Sequence, residues 1–321
     1  MNATEARIAV VGAGAIGGWI AGRLALAGQP VTVLARGATL AKLQAGGLRL
    51  EQGGSSNTVP LHASDDPAEL GVHDIVVLAV KAPALAAAAE AVRPMIGPAT
   101  RIVPMLNGVP WWLTSQPLAS VDPGSRIAAA LPTDQFLGCV VHAACSSPAP
   151  AEVVVKHADR LILGEPDGGP SERRDQVAAV FERAGITVEL SDNVRRAIWY
   201  KLWGNATINP LSALTRSTAD RLLADPALRV FMLDAMTELA EIGAAIGCPI
   251  AESGRERMKV TARLGAFKTS MLQDVEAGRP IELEALLGAP REIATRHRIA
   301  TPNLDLLYAA TRQMGENLGL L

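Results

Sequence analysis

The chain has 321 residues, long enough for two domains that each bury a core, and 49% of them are apolar. Its formal net charge of -2 offers no basic field for nucleic acid or an anionic membrane surface, so the expected partner is a small molecule. Cys139, Cys145 and Cys248 have no CxxC spacing, which argues against a disulfide framework and a thiolate metal site; no metal is expected. The start, with Glu5 and Arg7 ahead of a Gly-rich turn, lacks the apolar stretch of an export signal, and Lys81, Glu90, Glu238 and Glu241 interrupt the long apolar runs. A cytoplasmic protein without membrane or nucleic-acid partners is expected, and a homodimer is left open.

In chain order, short β-branched runs predict strands at Ile8 to Val11, Val31 to Leu34, Ile75 to Val80 and Ile102 to Met105, separated by Ala/Leu-rich helical stretches. That alternation predicts a parallel, Rossmann-type sheet. Val140 to Ala144, Val153 to Lys156 and Arg160 to Leu163, broken by a Ser/Pro/Ala loop and by Ala158-Asp159, read as antiparallel strands closing that sheet. Ser171 to Ala184 reads as a helix and Thr187 to Glu189 as a last strand. Beyond Asp192 everything reads as helical, with a capping side chain ahead of proline at Asp225-Pro226 and at Thr301-Pro302. The fold class is therefore α/β followed by all-α: a dinucleotide-binding domain over 1–190 and a helical domain over 191–321.

The sharpest local motif is Gly12-Ala13-Gly14-Ala15-Ile16-Gly17, set between a predicted strand and a predicted helix. In that context the first glycine permits the turn, the second lets backbone approach a pyrophosphate, and the third lets helix pack on strand. The second strand ends Leu34-Ala35-Arg36, with an arginine and no acid to bind ribose hydroxyls, which favours the 2'-phosphate of NADPH/NADP+ over NAD; the alternative for Arg36 is a solvated charge. Lys81 and Asn107-Gly108 follow the third and fourth predicted strands, where a doubly wound sheet binds ligands and where ordinary polar loops also occur.

The helical half holds the most informative stretch. Lys201, Asn205 and Asn209 recur at every fourth position, on one face of a helix whose other positions include Ile198, Trp199, Leu202, Trp203, Ala206 and Ile208. A cation and two amides aimed away from water need polar partners or a ligand. Burial lowers the pKa of a lysine toward neutrality, which suits Lys201 to protonate an oxygen as it gains charge; the alternative is a solvated stripe.

These elements, together with Lys201-Leu202-Trp203-Gly204-Asn205-Ala206-Thr207-Ile208-Asn209-Pro210 and Ser270-Met271-Leu272-Gln273-Asp274, occur in an order that resembles the ketopantoate reductase (2-dehydropantoate 2-reductase) family along the whole chain. The resemblance implies NADPH-dependent reduction of 2-dehydropantoate, a 2-oxo acid, to pantoate on the way to pantothenate and coenzyme A. It implies an active site in the crevice between the two domains, with hydride going to C2. By resemblance Lys201 is the proton donor, and Asn107, Asn205, Asn209 and Ser270 hold substrate oxygens. Arg36, Lys81, Asn107 and the backbone at Ala144 contact the cofactor, with Glu282 close to cofactor and substrate. Read from the residues alone, Glu282 stands in the first turn of a new helix, where a carboxylate favours the dipole. The chain departs from the family pattern at Ala219, where some members carry a further asparagine, and at Trp111-Trp112 beside the expected site, so another 2-oxo acid or carbonyl is the nearest alternative substrate. A non-catalytic NADP(H) sensor is the alternative of a different class; intact Lys201, Asn205 and Asn209 disfavour it.

Overall fold

The computed structural model describes residues 6–321, so Glu5 of the leader argument lies outside the described residues. Two compact units divide the chain: Met1–Leu106 with Arg126–Val194, and Asn107–Ser125 with Arg195–Leu321. The stretch 107–125, expected within the first domain, is thus part of the second unit. A single cut near residue 190 does not describe this division, because the chain leaves the first unit at Asn107 and returns at Arg126.

The first unit holds the strands β1 (Ile8–Val11), β2 (Val31–Leu34), β3 (Leu48–Gln52), β4 (Ser55–Val59), β5 (His62–Ser64), β6 (His73–Leu78), β7 (Ile96–Pro104), β8 (Gly138–Ser146), β9 (Glu152–Gly164) and β10 (Val188–Ser191). One sheet has the order β5-β2-β1-β6-β7 and is parallel throughout. Its chain runs from β1 outward to β5, then restarts at β6 on the other side of β1, so the switch point lies between β1 and β6. Ligands bind doubly wound sheets outside the carboxyl ends of the strands at such a point.

The expected antiparallel strands do not close this sheet. They build a second one, β10-β9-β3-β4, with β8 antiparallel to β9. β9 also runs unbroken through Ala158-Asp159, where two strands were expected; the pairing with β8 slips at His142/Ala143 and at Ala144/Cys145, so the break in pattern is a pair of irregularities inside one strand. Helix α1 (Ala15–Leu26) is the reason two sheets share one core. A Cβ at Gly18 would stand 2.6 Å from Val153 Cγ2 and one at Gly22 would stand 3.0 Å from Leu50 Cδ2, so the glycine face of α1 lies directly on the second sheet. Ile8, Val10, Ile20, Leu48, Leu50, Val153, Leu163 and Phe181 accordingly belong to one hydrophobic cluster. The unit is completed by α2 (Gly37–Gly46), α3 (Pro67–Leu70), α4 (Leu85–Ala91), α5 (Arg126–Ala130) and α6 (Glu172–Arg183).

The second unit is helical among its described residues: α7 (Val194–Thr215), α8 (Ala219–Ala224), α9 (Pro226–Ala245), α10 (Gly254–Ala262), α11 (Ser270–Glu276), α12 (Ala289–His297) and α13 (Pro302–Leu318). The indole N–H groups of Trp199 and Trp203, one turn apart on α7, donate to the carbonyls of Leu239 (3.0 Å) and Met236 (2.7 Å) on α9. A side chain at Gly243 would overlap the Trp199 indole, so this glycine sets how closely α7 and α9 pack. Asp225 caps α9 as expected, accepting from the Ala227 and Leu228 amides. Thr301 does not cap α13: the amides of Asn303 and Leu304 are taken by the carboxylate of Glu238 from α9, which replaces the local cap with a tertiary one.

Candidate active site

In the first unit the glycine turn has a separate cause for each glycine. Gly12 has φ +89°, and a Cβ there would stand 2.8 Å from Val80 Cγ1. A Cβ at Gly17 would overlap the Gly12 carbonyl oxygen, so helix and turn meet only because Gly17 lacks one. Gly14 differs: nothing lies within 4 Å of its Cβ position, it is exposed, and it precedes α1 without a side-chain cap. Open space beside the first amides of a twelve-residue helix suits a phosphate, which the dipole also favours. Ala13 is buried, and Ala15 and Ile16 open the helix half-buried.

Two cations stand at the same ends of the strands. The Gly12 amide donates to Leu34 O at the end of β2 (3.0 Å), and exposed Arg36 follows two residues later at the head of α2. Across β1, the Ala79 amide donates to Val11 O (2.9 Å), and half-buried Lys81 follows it at the head of a 3-10 turn. Gly12 to Gly17, Arg36 and Lys81 therefore follow the carboxyl ends of the adjacent strands β1, β2 and β6. Ala144 lies elsewhere in the fold, exposed on β8 of the second sheet at one of its register slips. Burial pushes the thiol of its neighbour Cys145 up to about 12.

In the second unit, residues far apart in sequence form one hydrogen-bonded chain. The Asn205 amide on α7 donates to Asn107 Oδ1 (3.0 Å), and Asn107 Nδ2 donates to Glu282 Oε2 (3.5 Å). Asn107 is thereby held from both sides, its oxygen accepting and its nitrogen donating. Lys201, one turn before Asn205 on the same face of α7, is half-buried. Asn209, one turn after, is 4% exposed. The helix continues through Pro210, whose missing N–H leaves the Ala206 carbonyl without its usual donor.

Ser270 is exposed at the start of α11, behind Thr269, whose hydroxyl caps the helix at Leu272 N (3.2 Å); no hydrogen bond joins Ser270 to the amide chain among the described residues. Glu282 stands one residue before the following helix, not in its first turn, and its carboxylate accepts from Asn107. Sequence reasoning passed over the turn after it, Glu284–Gly288, which is wound as a π-helix and whose Ala285 carbonyl accepts from Val109 N at 2.8 Å. A glycine and a proline two residues apart, Gly288 and Pro290, were the visible signal. Among the described residues no cluster of His, Cys, Asp and Glu could hold a metal ion, and no helix is long and apolar enough to cross a membrane.

Comparison with known proteins identifies the family. Residues 8–168 match the family model Ketopantoate reductase PanE/ApbA, and residues 193–315 match its C-terminal counterpart. A 2-dehydropantoate 2-reductase of Mesorhizobium japonicum is 39% identical over 98% of this chain and 99% of its own. A crystal structure described as a ketopantoate reductase, from Ralstonia solanacearum MolK2, superposes with a TM-score of 0.95 at 49% identity, covering 99% of this chain and 100% of that one. D-mandelate dehydrogenase, solved with NADH and anilino(oxo)acetate, shares the fold with a TM-score of 0.86 at 19% identity, covering 98% of this chain and 100% of that one. A parallel-sheet unit with the glycine turn, a helical unit with the Lys201 face, and matches to both family models lead to one conclusion: the chain is an oxidoreductase that belongs to the ketopantoate reductase family.

Proposed function

We propose that this chain reduces 2-dehydropantoate to pantoate with NADPH, in the cytoplasm, as a step toward pantothenate. The observation that carries the reading is the Asn205–Asn107–Glu282 chain, one helical turn from Lys201. It sets donors and acceptors in fixed order beside a cation, as a site for a 2-oxo acid requires. The residues present fit the cofactor: Gly12 to Gly17 leave the open backbone cradle at Gly14 for the pyrophosphate, and Arg36 and Lys81 stand at the same strand ends for its further phosphate and polar groups. When bound, the reduced nicotinamide supplies the hydride that adds to C2 of the substrate.

Lys201 then gives a proton to the oxygen of the former carbonyl, so the C=O becomes CH–OH with one hydride and one proton added. Asn205 and Asn209 bind substrate oxygens, both lying on the Lys201 face of α7. Ser270 adds a hydroxyl from α11. Asn107 and Glu282 hold the cofactor and the substrate in register with each other, and the backbone at Ala144 makes a further cofactor contact.

A second substrate reading has specific support. The shared fold of D-mandelate dehydrogenase accepts an aromatic 2-oxo acid analogue, and this chain carries Trp111-Trp112 after Asn107 and Ala219 in place of an asparagine. Steady-state oxidation of NADPH and NADH against a panel of 2-oxo acids decides between them. A kcat/KM for 2-dehydropantoate above that for every aromatic or unbranched 2-oxo acid is expected; an aromatic 2-oxo acid as best substrate would move the assignment to the second reading.

A further inference from the structure

The turn Glu284–Gly288 has an unusual hydrogen-bond register with a consequence for Asn107. In an α-helix the Ala289 amide would bond to the carbonyl of Ala285; here it goes to Glu284 O, one residue further back. In the same register the Ala285 carbonyl would face residue 290, which is proline and has no N–H. The carbonyl so released accepts from the Val109 amide at 2.8 Å.

Gly108 is what lets the loop come that close. Its φ is +89°, and a Cβ there would overlap the Ala285 carbonyl oxygen. The residue before it is Asn107, whose side chain lies between Asn205 and Glu282. The turn is braced in its own right. A Cβ at Gly288 would overlap Glu284 Oε2, and the other oxygen of that carboxylate accepts from the Tyr308 hydroxyl of α13 at 2.7 Å.

We propose that this π-turn is a positioning device for the active site: Pro290 and Gly288 keep the Ala285 carbonyl projecting, and the carbonyl fixes the Gly108–Val109 backbone so that the Asn107 amide stays between Asn205 and Glu282. Gly108, Gly288 and Pro290 are positioning residues that act through Asn107. The inference rests on the assignment of Asn107 to the ligand site. Its signature is coupling: disturbing the turn costs activity only while Asn107 is there to be misplaced.

Pro290→Ala in the full chain tests this, since it returns an N–H to position 290 and lets the helix reclaim the Ala285 carbonyl. Hydrogen exchange at the Val109 amide should quicken at least roughly tenfold, and kcat/KM should fall roughly tenfold with the melting temperature held within a few degrees. In an Asn107→Ala background the same change should cost nothing further. An equal loss in both backgrounds would assign Pro290 a structural role and overturn the proposal. So would unchanged Val109 exchange in folded Pro290→Ala, or, if that variant does not fold, in Tyr308→Phe, which removes only the hydroxyl bracing Glu284. Should the wild-type chain reduce none of the 2-oxo acids, the functional reading fails, while the exchange measurement still decides whether the turn holds the loop.

Discussion

The glycine turn of the first unit and the amide chain of the second are built by opposite means. At Gly12 to Gly17 the working feature is the absence of side chains, within six consecutive residues, and added carbon at either end of the motif collides with backbone or with Val80. In the second unit the side chains themselves are the feature. They come from positions 98 and 175 residues apart, and only packing brings them together. Recognition by backbone is written locally, whereas recognition by side chains depends on how distant segments meet.

The contrast is broken most severely at Lys201. Lys201→Ala should keep the fold and bind NADPH as the wild type does, yet lose on the order of 10² to 10⁴ in turnover, the range for a positioned acid or base. A rise in the Michaelis constant at undiminished turnover would make Lys201 a binding residue instead. Next in size, Gly17→Ala should destabilise the first unit by about 1–3 kcal/mol through the forced overlap with Gly12, seen as a fall of several degrees in melting temperature. Gly14→Ala sharpens the comparison, because its Cβ position is open: stability should change far less than at Gly17, while NADPH affinity drops. Equal destabilisation at the two positions would contradict the division of roles within the turn.

Arg36→Ala should weaken NADPH about tenfold and leave NADH nearly untouched, since only the former carries a phosphate at the ribose. Parallel fluorescence titrations of both cofactors measure this, and an equal loss for both would make Arg36 a general surface charge. The smallest effect expected is at His73, 2% exposed, whose ring bonds to the Gly71 carbonyl and the Thr32 hydroxyl, each at 2.8 Å. The carbonyl can only accept, so Nδ1 carries the hydrogen and Nε2 accepts from Thr32. Burial holds the pKa below the ordinary 6.5, so the folded ring stays neutral where the unfolded one is already protonated. The unfolded state then binds more protons as pH falls below about 6.5, and stability declines from there down to the folded pKa. Melting curves between pH 7.5 and 5.5 should show a shallower decline in His73→Gln; an identical slope would remove His73 as the source.

Legibility in the sequence followed locality. The strands β1, β2 and β6 and the buried end of β7 announced themselves as apolar β-branched runs because parallel strands are buried on both faces. β3, β4 and β5 passed unread. β4 is Ser-Ser-Asn-Thr-Val, mostly exposed, and β5 is three residues long, so their identity rests on pairing and not on composition. The interruption at Ala158-Asp159 looked like a turn because a slip in pairing and a loop share the same small polar residues.

By itself the sequence determined the glycine turn, the missing acid at Arg36, the one-faced stripe of Lys201, Asn205 and Asn209, and the change from strands to helices near residue 190. Each depends on the geometry of a single element, and a helix repeat or a tight turn is the same wherever it is placed. Only the tertiary structure decided that β8 and β9 form a second sheet on α1, that 107–125 joins the helical unit, that Glu238 caps α13, and that Asn107 is pinned between Asn205 and Glu282. Those outcomes are set by which distant groups find a partner once the chain is compact, and the residues that allow it, such as Gly108 and Pro290, contribute by what they lack: a side chain in one and an N–H in the other.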